Sequence, residues 1–426
     1  MYKNILLLIS VIFLNLTVIS QNLESTKEIV EILSSPQYEG RGYVNNGVNK
    51  AADFIKNKIQ NIGVKPFGKS YFQNLTFNIN TFPSTVEVLL DSQALIPGID
   101  FIVGNETPTT KNKYSLFIPD SITLNDYNAL VEKLFWKDLK NTALVINYKY
   151  VNHDTILKKK YTTLLSTNEF KLGAIIEAVS GNLAWGVRTT QKNFPMIKIS
   201  ESSLPKDAKE ITINIKSKYI KNFKTKNIAG YIEGKDKDKF IVLTAHYDHL
   251  GKMGKNVYIP GASDNASGTA MLIDIADYFS KNKPQYSVAF IWFTGEEAGL
   301  LGSFHYVKNP LFDLSKIKAV INIDIIGTGD KGMAVINGKT EGYEKIFNTF
   351  VEINNEGNLL EEIRPVHETK NSDHYPFSKE GILAVFVHTL GGNAYYHNVK
   401  DLPATLSWAG YNSIFTIITK FIERYE

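Results

Sequence analysis

The stretch FTGEEAGLLGS at residues 293–303 sets Glu296 and Glu297 side by side in a glycine-rich turn, directly after the apolar run SVAFIWF. Adjacent like charges usually occupy a solvated loop. A pair placed where a buried strand ends has another use, because active sites of α/β folds gather outside the carboxyl ends of strands. What two carboxylates do there depends on which other donors the chain brings close.

Further candidates lie at or just past strand-like runs in the same half of the chain. IVLTAHYDHLG delivers His246, with Asp248 two residues on and pointing the same way. A carboxylate beside a histidine can fix its tautomer, the usual support of a metal-bound imidazole; read alone, the stretch is equally a solvated loop. GASDNASG places Asp264 in a tight turn before a helix, where it can cap that helix or bridge two cations. INIDIIG leaves Asp324 where a strand departs the core, and a carboxylate there is costly to bury unless paired or metal-bound. GGNAYYHNVKDLP carries His397 in a loop after the strand-like ILAVFVH. Two histidines, two aspartates and a glutamate, without sulfur, suit two divalent cations, zinc foremost. Two such ions about 3.5–4 Å apart form a hydrolytic site. One of the adjacent glutamates can then bind metal while the other stays free as general base.

Composition is compatible with that reading and excludes others. The chain has 426 residues, more than one typical domain needs, with 43% hydrophobic and 21% charged residues, as in ordinary globular proteins. The net charge of +4 is spread along the sequence, and no dense basic and aromatic stripe points to nucleic acid. The absence of cysteine excludes disulfides, thiolate zinc sites and cysteine nucleophiles. Lys3 followed by ILLLISVIFLNLTVIS predicts a signal peptide over residues 1–20, cleaved near Ser20 or Gln21, with an uncleaved anchor as the alternative. The expected mature protein is extracytoplasmic (periplasmic or secreted), with no stable membrane association.

The elements that must position these donors are legible as changes of texture. Residues 21–83 open with two amphipathic helices, TKEIVEILSS and NKAADFIKNKIQNIG, the second stopped by Gly63. Residues 84–222 carry short strand-like runs such as TVEVLL, TALVINY, AIIEAV and ITINI, predicting an inserted small β-rich domain. In residues 223–426 almost wholly apolar strands alternate with helices. That pattern predicts an α/β fold with a mixed, largely parallel central sheet and helices on both faces.

AHYDHLG, GASDNASG, GEEAGLLGS, NIDIIG, SDHYPF and YHNVKD, in this order, resemble the zinc aminopeptidase family that includes glutamate carboxypeptidase and glutaminyl cyclase relatives. The N-terminal YEGRG and NKAADFIKNKIQNIG are similar to that family's opening segment, and the insert resembles a diverged protease-associated domain. The resemblance implies a secreted aminopeptidase with two zinc ions per chain, acting on peptide substrates. It implies His246 and Asp324 as ligands of one zinc, Glu297 and His397 of the other, Asp264 as the bridge and Glu296 as general base. Asp373 and His374, from SDHYPF, and Tyr396 become candidates for support of the site or for substrate contact. His153, His305 and His367 are expected at the surface or in packing, and the aromatic C-terminal helix in the core. Two other activities fit the same resemblance: a glutaminyl cyclase-like acyltransferase and a non-enzymatic peptide-binding module.

N-terminal sequencing of exported protein is expected to show a chain starting near Gln21. Intact Met1 on membrane-bound protein would identify the segment as an anchor.

Overall fold

Four strands form the centre of the molecule because both of their faces are apolar. In the computed structural model, which describes residues 23–151, 154–392 and 395–425, they are Tyr286–Phe293, Asp236–His246, Ile317–Ile323 and Ala384–Thr389, adjacent in that order and mutually parallel. The proposed signal peptide and His153 lie outside the described residues. Along Tyr286–Phe293, Val288, Phe290 and Trp292 face one core while Ala289, Ile291 and Phe293 face the other. The side-chain period of two thus accounts for runs that read as continuously hydrophobic.

Antiparallel strands complete the eight-stranded sheet. Lys218–Ile232 pairs with Tyr286–Phe293 and carries Phe72–Thr81 at the edge; Met333–Ile336 pairs with Ala384–Thr389 and carries Ile363–Val366 in parallel. Helices Gly47–Ile62, Gly268–Lys281 and Tyr411–Arg424 cover one face, burying among others Ile55, Leu272, Phe415 and Phe421. The other face is closed by Leu301–Lys308 and His374–Lys379, through Tyr306 and Phe377. Gly63 terminates its helix with φ of 92°, a left-handed conformation that glycine adopts without strain. The mixed sheet with helices on both faces is the predicted fold class.

Between Thr81 and Lys218, which pair with each other, the chain leaves this sheet to build a second of eight strands. This is the β-rich insert expected, with helices added on one half of it. Thr110–Phe117, Thr142–Asn147, Ala174–Val179 and Met196–Ser200 run parallel, with helices Ser121–Asn125, Tyr127–Phe135 and Thr155–Thr167 packed on one face around Leu130, Ile146, Tyr161 and Leu164. Each helix starts at an aspartate (Asp120, Asp126 or Asp154) whose side chain accepts backbone N–H bonds of the first turn. The opposite face joins the core shared with the main sheet through Val145, Ile176, Ile197 and Ile213. Among the described residues no helix is long and apolar enough to cross a membrane.

Ile291, wholly buried between strands, is expected to cost about 2–5 kcal/mol when cut to alanine. Ile156, 69% exposed, should cost under about 0.5 kcal/mol. Urea unfolding of the two variants compares them; equal midpoints would contradict the packing described.

Candidate metal centre

The carboxyl ends of the four parallel strands deliver the polar residues. His246 is the last residue of its strand, and Asp324 directly follows Ile317–Ile323. Glu296 and Glu297 follow Phe293, Asp264 stands in the turn before helix Gly268–Lys281, and His397 belongs to the loop after Thr389. The fold thus gathers all six side chains in one place.

Their donor atoms form two triads that share one carboxylate. Asp264 Oδ1 lies 3.3 Å from His246 Nε2, which is also 3.3 Å from Asp324 Oδ1. Asp264 Oδ2 lies 3.1 Å from His397 Nε2, itself 3.1 Å from Glu297 Oε2. Donors held tetrahedrally about 2.0–2.1 Å from one ion are about 3.3 Å apart. In each triad the histidine therefore stands at zinc-ligand spacing from its two carboxylates, and the two triads meet at opposite oxygens of Asp264. Glu296 stays outside both triads yet close, with a carboxylate oxygen within 4.8 Å of donor atoms of His246 and Asp324.

Electrostatics separates the two glutamates. Burial favours the neutral carboxyl, but His397 and His249 overcome it at Glu297 and push it down to about 2. Glu296 goes the opposite way: burial, reinforced by Asp373, Glu297 and Asp324 against the pull of His246, raises it well above the ordinary value. Burial disfavours charge on the imidazoles too, yet Asp324 and Glu296 raise His246 well above its usual range, and Glu297 with Asp264 carries His397 up to about 11. The cluster attracts positive charge strongly, as a ligand set for divalent cations must.

Asp248 does something other than expected. Its carboxylate is 3.9 Å from His246 Nδ1, whereas its own main-chain carbonyl is at 3.1 Å and takes the ring N–H. The carboxylate is engaged elsewhere: Tyr43 donates to Oδ2 at 2.8 Å and the Glu296 backbone N–H to Oδ1 at 3.2 Å. Burial, with Glu297 near, pushes Asp248 up to about 6. Asp248 thus anchors the turn that carries Glu296.

The remaining candidates divide. Asp373 is fully buried, and among the described residues neither oxygen has a hydrogen-bond partner; burial pushes it up to about 7. His374 is buried against Phe386, with Nε2 3.1 Å from the Thr369 carbonyl, and burial lowers it to about 4. Tyr396 is half exposed, its ring stacked on His397 with centroids 3.7 Å apart. A cavity of about 200 Å³ beside Asp264 is lined by Ile325, Thr328, Thr389 and Tyr396. His367 is exposed and His305 half-buried.

Four residues of the centre carry no assignment in the sequence reading. His249 Nδ1 lies 2.7 Å from Glu297 Oε1. Asp401 accepts the backbone N–H groups of Ser263 and Asp264 at 3.0 and 3.1 Å, fixing the turn of the shared carboxylate. Tyr43 holds Asp248. Arg41, wholly buried, directs all five of its N–H donors at main-chain carbonyls: Leu33, Tyr247, Pro260, Gly261 and Asp264, at 2.8–3.2 Å. Burial lowers Arg41 to about 10, and Asp264, Asp401, Asp248 and Glu297 hold its charge in place. The glycines around it were its signal in YEGRG. A Cβ on Gly42 would lie 2.2 Å from Gly251 Cα, and Gly40 has φ of 63°, where a Cβ would lie 2.6 and 2.7 Å from the carbonyl oxygens of Ile259 and Gly251. Only glycines let Arg41 pass beneath the loops it grips.

Known proteins resemble this chain in sequence and in fold. Residues 227–422 match the model of peptidase family M28. The chain is 34% identical over 134 residues to leucine aminopeptidase 2 of Arthroderma otae, covering 31% of this chain and 26% of that protein. It is 34% identical over 119 residues to an aminopeptidase of Pseudomonas aeruginosa, covering 28% and 21%. The chain therefore spans about a quarter of the length of the curated relatives it matches. Among solved structures, a zinc aminopeptidase from Bacillus subtilis superposes with a TM-score of 0.68 at 20% identity, covering 94% of each chain. A peptidase M28 precursor from Shewanella amazonensis gives 0.70 at 15% identity, covering 95% of this chain and 93% of that one. These two share the fold.

Arg41→Lys keeps the charge but not the five-pronged fork. It is expected to lower the melting temperature and to weaken zinc binding together, in thermal scans and metal titration. A variant indistinguishable from wild type in both would show that the loops hold themselves.

Proposed function

We propose that this chain, whose residues 227–422 match the model of peptidase family M28, is an extracytoplasmic aminopeptidase that hydrolyses N-terminal peptide bonds with two zinc ions. One observation carries the reading: the two oxygens of Asp264 face two separate donor triads. His246 and Asp324 would hold one ion, Glu297 and His397 the other, and Asp264 both. Zinc at these positions supplies Lewis acidity toward the scissile carbonyl and the attacking water. The names of the relatives in Arthroderma otae and Pseudomonas aeruginosa support the aminopeptidase activity, and that of the Bacillus subtilis neighbour supports zinc. The leader-like first twenty residues support export.

The chain's own residues then divide the work. Water oxygen bonds to the peptide carbonyl carbon, the C–N bond breaks, and one proton must travel from the water to the departing amine nitrogen. Glu296 makes that transfer: its carboxylate oxygen takes the proton and returns it to the amine. Burial and the surrounding carboxylates favour its proton-bearing form, which suits a group that must hold the proton between the two halves of the task. Glu297, with its depressed affinity, remains an anionic ligand over the whole working range. Asp248 keeps Glu296 aimed by accepting its backbone N–H. The cavity beside Asp264 offers room for the side chain of the residue to be released, with Tyr396 at its mouth.

Glu296→Gln is expected to retain two zinc ions and substrate affinity while kcat falls about 10²–10⁴-fold. Glu297→Gln should instead lose one ion. Metal analysis beside steady-state kinetics on aminoacyl-chromogenic substrates separates the cases; loss of zinc from Glu296→Gln with both ions kept by Glu297→Gln would reverse the roles.

A further inference from the structure

The loop that carries His397 is tied through Asp401 to the turn of Asp264, but around His397 itself it is held by the inserted module. The imidazole Nδ1 lies 2.9 Å from the main-chain carbonyl of Trp185, and the Trp185 backbone N–H returns a bond to the His397 carbonyl at 3.0 Å. Asn182, three residues earlier, donates from Nδ2 to the Tyr396 carbonyl at 2.7 Å, and its Oδ1 accepts from Asn398 Nδ2 at 2.8 Å. Both residues stand in the turn that follows the module's strand Ala174–Val179. Trp185 is itself fixed: its ring is buried against Phe82 and its Nε1–H donates to the Val103 carbonyl at 2.8 Å.

This pairing performs two tasks. An imidazole whose Nδ1–H is given to a carbonyl presents a bare Nε2 lone pair, the form a metal requires, and Nε2 is the atom facing Asp264 and Glu297. His397 also has φ of 57°, a left-handed backbone conformation that non-glycine residues rarely adopt, so something must hold it there. The reciprocal bonds with Trp185 and the Asn182 bridges on either side do so. His246 is served differently, by its own strand and the Asp248 carbonyl two residues on. One donor triad is therefore complete within the main sheet, while the other is completed by the insert.

We propose that the turn Asn182–Trp185 of the inserted module is the positioning element of the second metal position, setting the tautomer and orientation of His397, so that the module selectively controls loading of that position. The inference rests on the two-ion reading given above.

The test is stepwise titration of the metal-depleted full chain with Co²⁺, followed by visible absorption and calorimetry. Two binding steps are expected in the wild type. Asn182→Ala, an exposed position, removes the contacts to both neighbours of His397. It should weaken one step about 10–100-fold and leave the other within about twofold, with the melting temperature of the metal-free protein unchanged. The weakened step should be the one lost in Glu297→Gln, and in that background Asn182→Ala should change nothing further. If Asn182→Ala folds poorly, Asn182→Asp, which keeps the acceptor for Asn398 and loses the donor to Tyr396, carries the same expectation. Wild-type affinity at both steps, or equal weakening of both, overturns the positioning role while two-ion binding stands. A wild type that takes up only one ion overturns the two-ion reading and this inference with it.

Discussion

Arg41 is the interaction on which the centre depends. Asp248, Asp264, Glu296, Glu297, Asp324, Asp373 and Asp401 are drawn together at one end of a sheet, and their mutual repulsion in a low-dielectric interior would open the loops that carry them. A single guanidinium, sunk beneath them, offsets part of that charge and satisfies five carbonyls of three different segments. A lysine would supply the charge without the geometry, and a neutral side chain neither. Much of the rest is arranged around this one group: the glycines that let it in, the turn at 260–264 that closes over it, and Asp401, which grips the same turn from the other side.

The centre also shows how neighbouring residues of one type acquire opposite properties. Glu296 and Glu297 are one bond apart in sequence, but Glu297 faces two imidazoles and Glu296 faces other carboxylates. Their proton affinities diverge because of what surrounds them.

The donors were readable in the sequence because His246, Asp324 and the two glutamates stand at or just past strand ends, Asp264 and His397 lie in glycine-containing turns, and strand-like runs are distinctive when apolar on both faces. Supporting contacts were less readable. That Trp185 would meet His397 depends on how two sheets dock, and nothing local to either residue reports it. Asp248 was assigned to His246 by side-chain parity along an ideal strand, but the strand ends at His246, and beyond it parity fails. The helices of the insert left a local trace that its β-like runs overshadowed: Asp120, Asp126 and Asp154 each precede a short helix in the position of an N-cap.

The position of His397 near the C-terminal end of the chain has a consequence for biosynthesis. His246, Asp264, Glu297 and Asp324 emerge from the ribosome well before it, and the sheet that aligns them needs the Ala384–Thr389 strand, which pairs with segments made long before. Such non-local parallel pairing forms slowly. A nascent chain therefore carries most of the donors before the second triad can close. The order in which the chain is made thus sets the order in which the two triads form.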